Sequence, residues 1–349
     1  MVLYYEPKEK EKKLKTGVLL INLGTPDSPS TSDVRKYLSE FLNDPRVIDI
    51  PYISRKILVN LFIVPFRAPK SAKLYKQIWT DKGSPLLIYG EELKEKLQEE
   101  LGDEYMVDFG MRYQKPSINS ALERLKKQKV SKIKVVPLFP QYASSSTGST
   151  IQKFMELVSK WEVIPSMEII NSFCNYPPFI DALAKVAEKY NPDNYDHIIF
   201  SYHGLPERQI LKASDHYGGS YCKLDKCCNK LNSNNQYCYR AQCHETTRLL
   251  AAKLNIPSNK YTVSFQSRLG RDPWIKPYSD HLIIEKAKEG SRKLLVFSPA
   301  FVADCLETIY EIQKEYLGLF REHGGEELQL VPSLNIHPEW IKALKAMIV

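Results

Sequence analysis

A pair of α/β units, each a parallel sheet covered by helices on both faces, is the fold class this sequence predicts. Short unbroken apolar runs alternate with amphipathic helical patterns along most of the 349 residues. One strand-and-loop pattern also recurs in the second half. Unbroken apolar runs mark strands buried on both faces, which requires helices on each side of the sheet. Two domains are also what the length favours, at about 150 residues each.

The elements follow in order. GVLLINLG (17–24) reads as a buried strand ending at Gly24, followed by a turn through Thr25, Pro26 and Asp27. EELKEKLQEELG sets Leu93, Leu97 and Leu101 on one helical face, with Gly102 as the stop. YMVDFGMRY returns to strand, SALERLKKQ to helix, and KIKVVPLFP to strand. The rhythm resumes with FIDALAKVAEKY as a helix and DHIIFSYHG as a strand. TTRLLAAKL, YTVSFQS, LIIEKAKEG and KLLVFSPAF then alternate helix and strand. KIKVVPLFPQYASSSTGST and SRKLLVFSPAFVADCLET run alike, from basic residues through a strand to proline and a polar loop. The boundary is expected near 165–175, giving halves at 1–170 and 171–349. Ligands of open parallel sheets collect at the carboxyl ends of strands, so the site is expected in a cleft between the halves.

Composition narrows the function classes. Apolar residues make up 43% and charged ones 26%, as in a folded protein, and no run of about 18 apolar residues could span a membrane. The start, MVLYYEPKEKEKKLK, is charged from Lys8 to Lys15 and has no signal-peptide core. A cytoplasmic protein is expected, where structural disulfides are rare. The net charge of +8 suits an acidic ligand, an anionic lipid surface or a merely solvated surface. The chain has no helix-turn-helix spacing, aromatic strand motif or long basic stripe, so nucleic-acid binding is not expected. The sequence carries no signal for subunit number.

Several stretches carry chemistry. His203, in SYHGLPER, follows a buried strand directly and suits a proton acceptor or a metal ligand, although a lone histidine is more often structural. Glu307, Glu311 and Glu315 fall at i, i+4 and i+8 of a helix, with Asp304 in the loop before them. Stacked carboxylates repel one another, which a cation or a proton relay relieves and an exposed acidic face tolerates. Ser144 to Thr147 with Gly148 form a hydroxyl run, but without a P-loop lysine or GxGxxG, nucleotide binding is a weak reading. Arg268, Arg271 and Trp274 can flank a flat anion or pair structurally. Residues 53–79 mix bulky apolar side chains with Arg55, Lys56, Arg67, Lys70, Lys73 and Lys76. They read either as a core helix with a basic face or as an apolar lip flanked by cations, fit for a greasy anion or a membrane surface.

INLGTP, YKQIWTDKGSPL, GMRYQKPSI, PLFPQYASSSTG, SYHGLP, FQSRLGRDPW and DCLETIYE, in this order, resemble the ferrochelatases, which insert ferrous iron into a porphyrin. The resemblance covers nearly the whole chain and implies two Rossmann-like halves with a porphyrin cleft between them. It implies a lyase with protoporphyrin IX and Fe2+ as substrates, protoporphyrin being favoured by SYHGLP and FQSRLGRDPW. A coproporphyrin or cobalt chelatase of the same fold is the near alternative, and a non-catalytic porphyrin-binding or iron–sulfur sensor protein the distant one. It assigns His203 and Glu307 to catalysis and to meeting the iron, and Asp304, Glu311 and Glu315 to an acidic path. It places Tyr75, Ser84, Arg112, Tyr113 and Trp274, with the lip at 53–66, around the macrocycle. The lip implies peripheral membrane contact.

Five of the seven cysteines, Cys222, Cys227, Cys228, Cys238 and Cys243, fall in an insertion at about 217–245. Cys-x4-Cys spacings permit zinc, with His216 or His244 as further ligands, and also occur in plant-type [2Fe–2S] proteins. Certain bacterial ferrochelatases hold a [2Fe–2S] cluster in such a segment, and the resemblance implies one here on four of the five. One of the adjacent pair Cys227 and Cys228 is expected to be spare. Zinc and unliganded thiols are the alternatives. Cys174 and Cys305 read as ordinary buried thiols.

Overall fold

The computed structural model describes residues 14–215, 218–270 and 272–349. His216, Arg271 and most of the charged N-terminal run lie outside the described residues. The first sheet holds β1 (Thr16–Gly24), β2 (Tyr105–Tyr113), β3 (Lys132–Pro137) and β4 (Ser166–Ile169). Its order is β2-β1-β3-β4, all parallel, with Leu20 of β1 opposite Phe109 and Val136. The second holds β5 (His197–His203), β6 (Tyr261–Gln266), β7 (Lys293–Phe297) and β8 (Glu327–Leu330). Its order, β6-β5-β7-β8, repeats the first pattern. The expected class, two parallel sheets flanked by helices, is what the chain adopts.

The recurring sequence pattern has a structural counterpart. β3 and β7 occupy equivalent places in their sheets, and each is followed by a π-helical turn, at Ser144–Gly148 and Glu307–Tyr316. A third such turn, Leu58–Ile63, lies between α2 (Tyr52–Ile57) and α3 (Val64–Ile78). Wide i→i+5 turns are uncommon and cluster at functional sites.

The helix α1 (Thr31–Leu42), which the sequence reading passed over, is capped by Ser30, whose side chain accepts from Asp33 N at 3.2 Å. It buries Val34, Tyr37, Leu38 and Leu42. The last helix, α12 (Pro338–Ile348), returns to the first half and packs on α4 (Pro85–Leu101) and on α7 (Pro177–Ala187). Its Trp340 is fully buried, 5.7 Å from the Phe173 ring and 5.9 Å from that of Phe179. Removing such a side chain costs about 3–5 kcal/mol. One apolar core therefore runs from Val18 and Leu97 in the first half to Phe200 and Trp340 in the second.

Gly24 ends β1 at a φ of 133°, where a Cβ would lie 2.3 Å from the Tyr113 carbonyl oxygen. No larger residue fits there. The chain thus leaves the carboxyl end of β1 at the cleft wall.

Candidate active site

The loops that leave β1, β3, β5 and β7, the two central strands of each sheet, converge on one cleft. It has a volume of about 1130 Å³, near or above the top of the usual range for small-molecule sites, roughly 300–1,000 Å³. Asn22–Thr25, Leu138–Phe139, His203–Pro206 and Ala300–Ala303 line it at the strand ends. This is where parallel sheets of this order place ligands.

His203 is the last residue of β5, half-buried, with its main chain paired to Gln266 of β6. Its Nδ1 lies 2.7 Å from the Gly204 carbonyl oxygen. A carbonyl only accepts, so Nδ1 carries the proton and Nε2 keeps its lone pair in the neutral ring. Gly204 is required beside it, because a Cβ would come within 2.9 Å of the Gln266 carbonyl oxygen.

Glu307, Glu311 and Glu315 all line the same cleft. They lie on the π-helical turn rather than on the α-helix their spacing predicts. A turn wider than 3.6 residues still keeps positions four apart on one side. Glu311 accepts hydrogen bonds from Ser267 Oγ, from Tyr316 Oη at 2.8 Å and from Gln266 Nε2 at 3.3 Å. Burial raises its pKa most; the Glu307 charge adds to the rise, while Ser267 and Tyr316 oppose it. Glu315 is also raised, by burial and by Asp280.

Tyr75, Ser84 and Trp274 stand in the cleft wall as well. Tyr75 is buried edge-on to Tyr37 at 6.3 Å. Ser84 accepts from Thr25 Oγ1 at 2.8 Å, and Trp274 donates Nε1 to the Leu269 carbonyl at 3.1 Å. Arg268 lines the cleft too, its guanidinium 4.0 Å from the Tyr278 ring centre and ion-paired with Asp280. Cys305 is not merely a core thiol: it lines the cleft, and burial with nearby Glu307 keeps it protonated.

Three expected site residues lie elsewhere. Arg112 pairs with Asp44 at 2.6 Å and also donates to Ser149. Tyr113 is fully buried and donates to the same Asp44 carboxylate at 2.9 Å. Both serve a buried network away from the cleft wall. Asp304 is also buried, accepting from Asn335 Nδ2 at 2.8 Å and Ser333 N at 3.3 Å, which holds a loop together and takes it off the acidic row. Sequence reasoning missed Tyr37, Tyr310 and Tyr239, which line the cleft together with Arg67, one of the cations it placed beside the lip. Tyr37 reads as an ordinary core position of α1, and only tertiary packing reveals it.

The segment 53–66 is exposed on its apolar side. Ile53, Leu61, Phe62 and Phe66 are each more than 60% exposed, while Leu58 and Ile63 reach the cleft. Such a run on a folded surface marks a contact face. Of its cations, Arg55 is buried and donates to the Ile50 carbonyl at 2.7 Å, so it is structural. Among the described residues no helix is long and apolar enough to cross a membrane.

Cys222, Cys227, Cys228 and Cys238 line one small cavity with Asn234 and Asn235. Cys227 and Cys228 sit on a single short turn, Lys226–Cys228, with their sulfurs 3.8 Å apart. Both adjacent cysteines therefore line this cavity. Contact with Cys228 lowers the Cys238 pKa, and Lys223 N donates to Cys227 Sγ at 3.3 Å. Cys243 is the odd one. Cys238 caps α9 (Tyr239–Lys253), and five residues on, the helix has turned about 140° past a full circle. That leaves Cys243 fully buried in the core. Among the described residues no three His, Cys, Asp or Glu donors converge on one ion position. A tetrahedral zinc ion needs four such donors, whereas each iron of a [2Fe–2S] cluster needs only two thiolates. Four cysteines line the cavity, the number of thiolates such a cluster would take. His244 lies outside this cavity.

A ferrochelatase from Coxiella burnetii (strain Dugway 5J108-111) is 47% identical over 334 residues, covering 95% of this chain and 93% of its own. One from Legionella pneumophila (strain Lens) is 47% identical over 335 residues, covering 96% and 99%. Among solved structures, SirB from Bacillus subtilis with Fe3+ has a TM-score of 0.55 at 10% identity, covering 96% of this chain and 94% of its own. The sirohydrochlorin chelatase SirB from Bacillus subtilis subspecies spizizenii in complex with cobalt has a TM-score of 0.53 at 10% identity, covering 95% and 93%. At that identity the likeness is one of fold. The ferrochelatase family model matches residues 15–349, and with near-half identity to relatives along almost their full lengths, this chain belongs to the ferrochelatase family.

Proposed function

We propose that this chain inserts ferrous iron into protoporphyrin IX, giving protohaem and releasing two protons. One observation carries the reading: an imidazole whose Nε2 has no hydrogen-bond partner among the described residues and a row of three carboxylates line the same large cleft. Metallation removes two pyrrole protons as the dication enters, so the product ring is neutral at the metal. His203 Nε2 is the base that takes a pyrrole proton. Glu307 meets the metal side of the reaction, and Glu311 and Glu315 carry protons toward solvent. A flat porphyrin hides its nitrogen lone pairs in the ring plane. A pocket that favours a bent ring exposes them and so favours the transition state over the ground state.

Charge supports the dicarboxylate porphyrin over a tetracarboxylate one. Arg208 and Arg268 line the cleft but are neutralised by Asp49, Asp272 and Asp280. Among the described residues that leaves Arg67 and Lys314 without a carboxylate partner, one cation for each propionate of protoporphyrin. Comparing rates on protoporphyrin and coproporphyrin, with iron and with cobalt, tests the choice. A purified chain that binds porphyrin and never metallates it would leave a binding protein instead.

Were the insertion to hold a [2Fe–2S] cluster, Cys222, Cys227, Cys228 and Cys238, which line one cavity, would be the four of the five cysteines to hold it, and the cluster would supply a one-electron centre. The exposed lip supports peripheral contact with a membrane surface at the mouth of the cleft.

A further inference from the structure

A basic groove runs beside the lip and shares no lining residue with the cleft. Arg35, Ser39 and Glu40 of α1, Lys56 of α2, Arg112 and Lys153 line it, over about 720 Å³. Lys153 lies on α6 (Ser149–Val158). Lip and groove form one body. Asn60 Oδ1, in the lip turn, accepts from Ser39 Oγ at 3.0 Å and from Asn43 Nδ2 at 3.0 Å, which fastens that turn to α1.

The charge of the groove is not balanced. Arg112 is committed to Asp44, and Lys36 to Asp33 at 2.9 Å. Glu40 accepts from Gln114 N at 3.0 Å and from its side-chain Nε2 at 2.6 Å. Among the described residues that leaves Arg35, Lys56 and Lys153 without a carboxylate partner, three cations against the one charge of Glu40. The lip itself sets Lys56. Its neighbour Arg55 is buried on the Ile50 carbonyl, while Lys56 comes to the outside, 5.6 Å from the Tyr52 ring centre. Residues four apart share a side, so Tyr52, Lys56 and Asn60 flank the row Ile53, Ile57 and Leu61. That row is 71%, 48% and 63% exposed. An apolar row on a surface helix enters a bilayer boundary by about 5–10 Å, which brings the cations beside it level with the headgroups.

We propose that the groove between α1, α2 and α6 binds the phosphate of an anionic phospholipid headgroup. The inference rests on the reading of the lip as a membrane contact and names the lipid class that this contact selects. The apolar row supplies depth, and cations from three separate helices fix which edge of the lip meets the headgroups. A soluble polyanion would use the cations and leave the adjoining apolar row in water, so the lipid is the occupant that satisfies both. Leu58 and Ile63 of the same lip reach the cleft, so a headgroup held here sets the cleft mouth against the bilayer.

The test sediments the full chain with two vesicles, phosphatidylcholine alone and phosphatidylcholine with about a third phosphatidylglycerol. The parent is expected to bind the anionic vesicle at least about tenfold more tightly. Arg35→Gln, Lys56→Gln and Lys153→Gln combined is expected to lose that preference, on the order of fivefold per cation, and to bind the neutral vesicle within about twofold of the parent. A control of equal charge, Lys127→Gln, Lys129→Gln and Lys160→Gln, removes exposed cations at the amino-terminal end of the first sheet and is expected to keep the preference. Equal losses in the two triple variants would make the attraction one of net charge and overturn the site. A parent that binds both vesicles alike, or neither, would overturn it too. Release of the parent by inorganic phosphate at matched ionic strength, down to the level of the groove variant, would give the groove to free phosphate instead. Leu61→Asp with Phe62→Asp is expected to weaken binding to both vesicles. If it binds both as the parent does, the lip reading fails, and the preference between vesicles still decides the groove. Should the groove triple variant melt well below the parent, Lys56→Gln alone decides, with an expected loss of about fivefold.

Discussion

Tyr316 donates its phenol to Glu311 at 2.8 Å from five residues further along the same π-helical turn. The bond stabilises the charged carboxylate against the burial that raises its pKa. Tyr316→Phe therefore moves Glu311 further up, and the acid limb of the kcat/KM profile is expected to shift to higher pH. An unchanged acid limb would remove Glu311 from the proton path. For stability the sign is fixed. A carboxyl raised in the fold binds more protons there than in the unfolded chain, so its contribution falls as pH rises through the window between its unfolded and folded pKa values.

His203→Ala and Glu307→Gln are each expected to lower kcat by at least about 100-fold, the scale of lost acid–base catalysis. Melting temperatures should stay near that of the parent chain, since both side chains face the cleft. A rate within a few-fold of wild type in either variant would contradict the assigned roles.

Arg67→Gln is expected to raise KM for protoporphyrin about fivefold, with kcat nearly unchanged, because an exposed cation contributes to binding alike in ground and transition states. Steady-state kinetics reads the split. A fall in kcat at constant KM would place Arg67 in the chemistry rather than at a propionate.

Replacing Leu61 and Phe62 together by Asp is expected to lower sedimentation with anionic liposomes at least about tenfold and leave the melting temperature alone. Both side chains are more than 60% exposed, so the fold loses little. Equal sedimentation of variant and parent would dismiss the lip as a membrane contact.

His197 is 8% exposed, and burial holds its pKa down at about 4, against an ordinary 6.5. A histidine depressed in the fold contributes stability that is present above the unfolded pKa and lost as pH falls through the folded one. The melting temperature is therefore expected to drop between about pH 6.5 and 4, less steeply in His197→Asn, which keeps a polar group near Thr262. Parallel curves would assign the acid loss to other groups.

Much of this was legible in the sequence because buried strands have no alternative chemistry. GVLLINLG and HIIFSYH can only be two-sided strands, and the residues that end them, Gly24 and His203, are placed by that fact. The π-helical turn was not legible, since residues four apart share a side in either helix. That Arg112 and Tyr113 lie off the cleft wall could not be read, because their partner, Asp44, lies more than 60 residues away and reaches them only in the fold. The cysteines show both effects. Their number pointed to a metal, but only the fold brings Cys227 and Cys228 together on one turn and carries Cys243 into the core.

Anaerobic incubation of the purified chain with ferrous iron and protoporphyrin IX, followed by visible absorption, tests the central claim most directly. The four-band porphyrin spectrum is expected to give way to the haem spectrum catalytically, and His203→Ala to leave the porphyrin bound and metal-free. A wild-type chain that binds protoporphyrin while its four-band spectrum persists would contradict it.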